Sequence, residues 1–269
     1  MIQASHFKGN LRDILFQLFE VLEIDTQSLG RAPFEAMDKA TAIDSLRALL
    51  KLSDTELQTS FAESDRVPLV LDEEGNVTIP PGLRASLKAY YDADAHRLTL
   101  PEHIGGMGAP PSIGWAAFEM LAGANATLAF YLFGNFAART IDRLGTEGQK
   151  KRFVSNLIDN RWGASMVLTE PDAGSDVGAG RARARHVEGD IWEIEGVKRF
   201  ITNGDFDGVD NIVHLVLARP DGAAGGTKGL SLFIVPKYWV DEEGQIGERN
   251  GAVCVKVEKK MGIKGSATC

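Results

Sequence analysis

Two short stretches hold most of the chemistry-bearing residues. TEPDAGSDVGAG, residues 169–180, follows the apolar run Ala164 to Leu168. KRFITNG, residues 198–204, lies some twenty residues further on. Each places a threonine beside a glycine-containing turn at the end of an apolar run. Threonine hydroxyls and exposed backbone N–H groups together make a hydrogen-bonding surface for a neutral, planar, carbonyl-rich ligand. A flavin ring is one such ligand. It needs donors along its N1–C2 edge, where negative charge grows on reduction, and a partner at N5. Phe200 and Met166 offer an apolar wall. Turns between strands use the same residue types, so these residues alone favour plain turns over a flavin site.

Other chemistries lack their residues. The glycine-rich stretch at 169–180 carries no lysine, and no G-x-x-x-x-G-K-[ST] occurs anywhere, so a triphosphate cradle has no support. No G-x-G-x-x-G opens a helix after a strand. His6, His96, His103, His186 and His214 form no paired-ligand pattern, and no metal site is expected. Asp172 and Asp176 suggest a calcium loop, but Arg183 stands where an EF-hand needs glutamate. No G-x-S-x-G elbow exists for an activated serine.

Composition narrows the classes further. A formal net charge of -8 argues against a nucleic-acid binder, which would show a basic patch. Two cysteines, Cys254 and Cys269, make no disulfide framework and fit a reducing cytoplasm. The N-terminus is interrupted by Arg12, Asp13 and Gln17 and does not read as a signal peptide. Met120 to Ala138 carries no formal charge, yet Gly123, Asn125, Thr127, Gly134 and Asn135 would be costly in lipid. Buried core helices are expected there, with no membrane span.

The elements that must position these stretches are of two kinds. Leu11, Ile14, Leu15, Leu18, Phe19 and Leu22 recur at helical spacing. Helices are expected again over Ala42 to Leu52 and Leu83 to Tyr91, with a loop or short extended excursion over Arg66 to Pro81. Leu100 to Pro111 must be an irregular loop. Ser112 is expected to cap the next helix, Gly123 to Asn125 to break it, and Gly145 to end its successor. Thr146 should then cap a helix carrying Phe153, Val154, Leu157 and Ile158 on one face. After Arg161 the pattern changes to short β-type runs, the last of them Ala252 to Lys260 with Val253, Val255 and Val257 on one side. The expected fold class is α+β: an all-helical N-terminal domain, then an antiparallel β domain of barrel or sandwich type. The expected divisions are a helical extension over 1–40, a helical domain over 41–161 and a β domain over 162–269.

Five segments stand in an order that resembles the acyl-CoA dehydrogenase family: LPEHIGGMG, LGTEGQKKRF, MVLTEPDAGSDVGA, GVKRFITNG and KKMGIKGSAT. The extension HFKGNLRDILFQLFEVL is similar to the long bacterial subfamily of broad fatty acyl-CoA and 3-methylmercaptopropionyl-CoA dehydrogenases. The resemblance implies FAD in a cleft between a helical domain, a middle β domain and a C-terminal helical bundle. It implies that Met166, Leu168 and Thr169 line the flavin, with Thr169 on its polar edge. Gly174 would allow close backbone approach. Ser175 would serve both FAD and the pantetheine side of the substrate. Phe200, Ile201 and Thr202 would form the second flavin segment, with the Thr202 hydroxyl near N5.

Three departures qualify that picture. Val167 replaces a usually small residue, and Phe200 stands where many members have tryptophan. The chain also stops at Cys269, after the motif that closes the middle domain. The family's catalytic base is a glutamate on the C-terminal bundle, so no catalytic residue is expected within these residues. Glu170 matches a structural position. The implied activity is α,β-dehydrogenation of fatty acyl-CoA thioesters. The implied partners are acyl-CoA, electron-transfer flavoprotein or a similar acceptor, a C-terminal helical domain in cis or in trans, and further copies of the complete enzyme. A non-catalytic binding half, a split subunit and an acyl-CoA oxidase are the alternatives.

Overall fold

The computed structural model describes residues 6–269. The first five residues of the expected N-terminal extension lie outside them. Helix α1 (Leu11–Phe16) starts where the Asn10 side chain accepts from the Asp13 N–H, and the helical path continues to Val21. A single turn, α2 (Ile24–Gln27), leads to α3 (Lys39–Leu52), capped by Asp38. Ala42, Leu46 and Leu49 form its buried stripe. After α4 (Phe61–Arg66), the expected excursion is a two-residue-strand hairpin, β1 (Val70–Leu71) with β2 (Val77–Thr78). The Asp72 carboxylate closes its turn by accepting from the N–H groups of Glu74 and Asn76. Helix α5 (Pro81–Asp92) and the loop before Pro111 follow as expected.

Helix α6 (Pro111–Ala129) starts before Ser112, which correspondingly is not its cap. Proline at the first helical position has φ already set and no N–H to satisfy, so Pro111 takes over the start. The break expected at 123–125 is a kink at Asn125, whose φ is −158° and ψ 96°. Its amide donates to Ser60 Oγ at 2.9 Å, while Leu128 N–H donates to its Oδ1 at 3.2 Å. The side chain thus replaces bonds the backbone gives up. Helices α7 (Gly134–Leu144) and α8 (Glu147–Ile158) complete this half, and Thr146 with Gln149 forms a capping box on α8. Helices α6 and α7 are bent by 96° to each other, and no single helix among the described residues is long and apolar enough to cross a membrane.

The second half is built of β3 (Gly163–Val167), β4 (Arg183–Glu188), β5 (Ile191–Glu195), β6 (Ile212–Pro220), β7 (Ser231–Pro236), β8 (Tyr238–Val240) and β9 (Ile246–Arg249). Helical domain followed by β domain is the observed order. The pairing is mixed rather than wholly antiparallel. Pairs β4–β5, β6–β7 and β8–β9 are antiparallel, but β6 lies parallel to β3 and to the start of β4. The β4–β5 hairpin sits within the connection from β3 to β6, which gives the length a parallel return requires. No closed barrel forms among the described residues.

Two β-type runs are not strands. Residues 252–259 pair with no strand, and Val255 is 83% exposed. Their alternation is present, but among the described residues their one backbone–backbone bond is Glu258 N–H to Thr268 O. Residues 198–204 cannot stay in a ladder because Phe200 and Asn203 have φ of 62° and 55°.

One buried cluster joins α3, α5 and α6 to Phe206 and Ala267 of the second half. Another joins α7 and α8 to β3 and β6 through Ile141, Leu157, Trp162, Ala164 and Leu215. Both glycine-bearing stretches are therefore anchored to a framework of helix and sheet.

The same sheet carries a pH-sensitive pair. Ser165 on β3 faces His214 on β6, with Oγ 2.6 Å from Nδ1. Burial, aided by the Lys237 charge, pushes the His214 imidazole down to about 4. The unfolded chain takes up a proton near pH 6.5 that the folded chain refuses. Stability is therefore full above pH 6.5 and falls as pH drops toward 4, at about 1.4 kcal/mol per pH unit for this group. His96, also pushed down by burial, adds to the slope. His214→Asn is expected to reduce the slope between pH 6 and 5 by nearly one proton, read from urea unfolding at each pH. An unchanged slope would show that His214 titrates as it does in the unfolded chain.

Candidate functional site

Strand β3 delivers Leu168 and Thr169 to the start of the glycine-rich loop. The loop closes on one carboxylate. Glu170, 7% exposed, accepts from Arg181 N–H at 2.5 Å and Ala182 N–H at 3.0 Å. Lys198 Nζ donates to Glu170 Oε1 and to Leu168 O, each at 2.9 Å. Arg199 N–H donates to Thr169 O at 2.9 Å. Glycines make the closure possible. A Cβ at Gly178 would lie 2.9 Å from Thr227 N, and one at Gly180 would lie 3.0 Å from Glu170 Oε1. Burial acts to raise the Glu170 carboxyl, but the two N–H donors and the Lys198 ammonium outweigh it and hold the group below the usual range. Glu170 is an ionised structural centre, as its sequence position implied.

The second segment is fixed from several sides. Ile201 and Cys269 exchange two backbone bonds of 2.9 Å, and Gly204 N–H donates to Ala267 O at 3.3 Å. Tyr131 Oη donates to Gly265 O at 2.6 Å and accepts from Ala267 N–H at 2.9 Å. The Asn203 amide donates to Phe130 O. Asp205 accepts from Val77 N–H at 2.9 Å and pairs with Lys237 at 2.7 Å, both side chains being under a tenth exposed. Left-handed backbone at Phe200 and Asn203 is held because so many neighbours over-determine it. The Arg199 guanidinium sits 4.7 Å from the centre of the half-exposed Phe200 ring.

The two stretches meet as the sequence implied, through Thr169, Arg199 and the Val167–Ile201–Val216 cluster. Leu168, Thr169, Phe200, Ile201 and Thr202 belong to that junction. Met166 lies on the opposite face of β3 from Val167, against the cluster of α7 and α8. Gly174 and Ser175 are exposed. A Cβ at Gly174 would make only an ordinary 3.9 Å contact with Thr169, so the expected close approach involves no atom of the chain itself.

Among the described residues, the hydroxyls of Thr169, Thr202 and Ser175 have no protein partner, nor do the N–H groups of Gly174 and Ser175. Partly buried threonine hydroxyls left free beside a half-exposed aromatic ring suit a flat ligand with carbonyl acceptors. Sequence reasoning missed Lys198, Asn203, Tyr131 and the Asp205–Lys237 pair. A lysine inside a β-type run and an Asn-Gly at its end were the available signals, the second because asparagine tolerates left-handed backbone.

Comparison with known proteins gives the same architecture. Residues 56–161 match the acyl-CoA dehydrogenase N-terminal domain and residues 165–269 the acyl-CoA dehydrogenase middle domain. A broad-specificity linear acyl-CoA dehydrogenase of Mycobacterium tuberculosis is 47% identical over 98% of this chain and 44% of its own length. A 3-methylmercaptopropionyl-CoA dehydrogenase of Ruegeria pomeroyi is 39% identical over 73% of this chain and 34% of its own length. The fold of a Bacillus anthracis acyl-CoA dehydrogenase complexed with FAD superposes with a TM-score of 0.63 at 22% identity, over 86% of this chain and 35% of that one. This chain therefore spans less than half the length of these relatives. Matched by both domain families and aligned almost end to end with a curated relative, the chain belongs to the acyl-CoA dehydrogenase family.

Proposed function

We propose that this chain supplies the flavin-facing and thioester-facing part of an FAD-dependent fatty acyl-CoA dehydrogenase. The single observation that carries the reading is the locked junction of the two stretches, with the hydroxyls of Thr169 and Thr202 left unpartnered. A bound FAD would supply the hydride acceptor. In this reading Thr169 donates toward the polar edge of the flavin, Thr202 toward N5, and Leu168, Phe200 and Ile201 form the apolar wall. Met166 supports that wall from behind. Gly174 and Ser175 offer N–H groups and a hydroxyl to FAD and to the pantetheine arm. The divisions 1–40, 41–161 and 162–269 and a cytoplasmic setting belong to the same proposal, as do electron-transfer flavoprotein and self-assembly.

A C-terminal helical domain, in cis or in trans, belongs to it too. Trp115 is 70% exposed, Phe118 42%, Phe136 46% and Leu144 74%, all on α6 and α7. Phe118 and Phe136 line one groove and Trp115 packs on Phe118, an apolar grouping that supports a covering partner.

Thr169→Val and Thr202→Val each remove one hydroxyl donor at nearly constant shape. Each is expected to weaken FAD binding by about 0.5–1.5 kcal/mol, two- to tenfold in Kd. Quenching of flavin fluorescence on titration with the chain reads this. Full affinity in both variants would remove the two threonines from the flavin site.

A further inference from the structure

We infer that residues 203–207 are a strap by which the helical half positions Thr202, an inference that rests on the flavin reading of that threonine. Three alternate side chains of the run reach back to backbone groups of the helical half. The Asn203 amide donates to the carbonyl of Phe130, the residue that ends α6. The Asp205 carboxylate accepts from Val77 N–H at 2.9 Å, and the Asp207 carboxylate accepts from Ile79 N–H at 3.0 Å. Val77 and Ile79 are two residues apart, so both N–H groups leave the same edge of β2, the edge that β1 does not occupy. A carbonyl at a helix end and an N–H on a free strand edge have no partner within their own element. Each of the three contacts satisfies one such group.

The residues between them are fixed as well. Gly204 N–H donates to Ala267 O at 3.3 Å. Phe206, 1% exposed, meets Tyr131 edge to face with ring centres 4.7 Å apart. Each carboxylate also has a cation beside it: Lys237 lies 2.7 Å from Asp205, and Arg84 of α5 pairs with Asp207. Thr202 stands immediately before this run. On its other side Ile201 exchanges two backbone bonds with Cys269. The left-handed backbone of Asn203, with φ of 55°, makes the turn between Thr202 and the strap. The Thr202 hydroxyl has no protein partner among the described residues, so its direction is set by these neighbours. Asn203, Asp205 and Asp207 are thus positioning residues that act through Thr202.

Thr169 is held by different means. Its carbonyl takes Arg199 N–H, and the clamp of Glu170 with Arg181, Ala182 and Lys198 lies wholly within the β half. Contact between the halves therefore sets one of the two flavin-facing hydroxyls and not the other.

The test compares variants of the 269-residue chain. Asn203→Gly keeps left-handed backbone available and removes the bond to Phe130 O. Asp207→Ala removes the acceptor of Ile79 N–H. Asp207→Asn returns an acceptor and gives up only the partly exposed pair with Arg84. In the flavin-free chain, amide exchange at Ile201 and Gly204 is expected to be about tenfold faster in Asn203→Gly and Asp207→Ala, with Arg181 and Ala182 unchanged. Asp207→Asn should exchange as the wild type does. FAD titration by fluorescence quenching then reads the coupling. Thr202→Val should weaken binding about two- to tenfold in the wild type and by less than about 1.5-fold in Asn203→Gly. Thr169→Val should keep its full effect in both backgrounds. Equal acceleration at Arg181 and Ala182 would mark a general loosening and overturn the strap. Unchanged exchange at Ile201 and Gly204, or a full Thr202→Val effect persisting in Asn203→Gly, would overturn it too. The expected exchange pattern with a silent Thr202→Val in the wild type would support the strap and overturn the flavin role of Thr202 instead.

Discussion

Anaerobic mixing of the 269-residue chain, reconstituted with FAD, with saturated acyl-CoA thioesters is expected to leave the flavin absorbance unbleached on the timescale of turnover. Removal of an α-proton needs a carboxylate within hydrogen-bond reach of that carbon and free to accept. The carboxylates at the junction are engaged. Glu170 takes two backbone N–H groups and Lys198. Glu258 takes Arg199 at 3.0 Å and Lys256 at 3.2 Å, and the bond from Lys256 leads in holding it below its usual range. Asp172 lies on the exposed loop, 3.7 Å from Arg181. None is both desolvated and free to take up a proton: the buried one, Glu170, is held ionised by its donors. Loss of a positioned general base lowers rates by about 10²–10⁴-fold. A C-terminal helical domain of a relative, added in trans, should restore bleaching if it docks on the apolar faces of α6 and α7. Bleaching at catalytic rates by the chain alone, with enoyl-CoA formed, would show that the base lies among these residues.

The helical half was legible because its information is local. Thr146 and Gln149 lie three apart, and Phe153, Val154, Leu157 and Ile158 recur at one turn, so window and element coincide. The β half was legible in order but not in pairing. The apolar run from Ile212 to Ala218 says that one strand exists, not that its neighbour is β3 in parallel. The run at 252–259 shows the limit most directly: alternation needs a free edge to pair with, and no sequence window contains that edge. At the site, Thr169 and Thr202 were found through the resemblance and placed at one junction by the fold. Lys198 was not found, because its partner is 28 residues away and the pair acquires meaning only after both stretches fold.

Glu170→Ala is expected to cost about 3–5 kcal/mol of folding stability, the range for removing one partner of a buried ion pair. The variant leaves the Lys198 ammonium, 13% exposed, facing a void, and strips the acceptor from the N–H groups of Arg181 and Ala182. Lys198→Met should cost less. It leaves Glu170 charged, but two backbone donors still hold that charge. Glu170→Met with Lys198→Met should recover part of the single-variant loss, since no uncompensated charge remains. Urea midpoints at constant m read all three. Glu170→Gln adds a pH signature. The folded carboxyl sits below its unfolded value of about 4.3, so its contribution is full above that pH and is lost as pH falls through the folded value. The glutamine variant should lack this part of the acid transition. Of a total that for a domain is about 5–15 kcal/mol, the loss in Glu170→Ala is large enough to loosen the whole loop from 169 to 182. FAD affinity should therefore fall with stability in Glu170→Ala and recover in parallel in the double variant. If both single variants stay within about 0.5 kcal/mol of the wild type, as ordinary surface substitutions do, the clamp contributes nothing to holding Thr169 and Arg199 together.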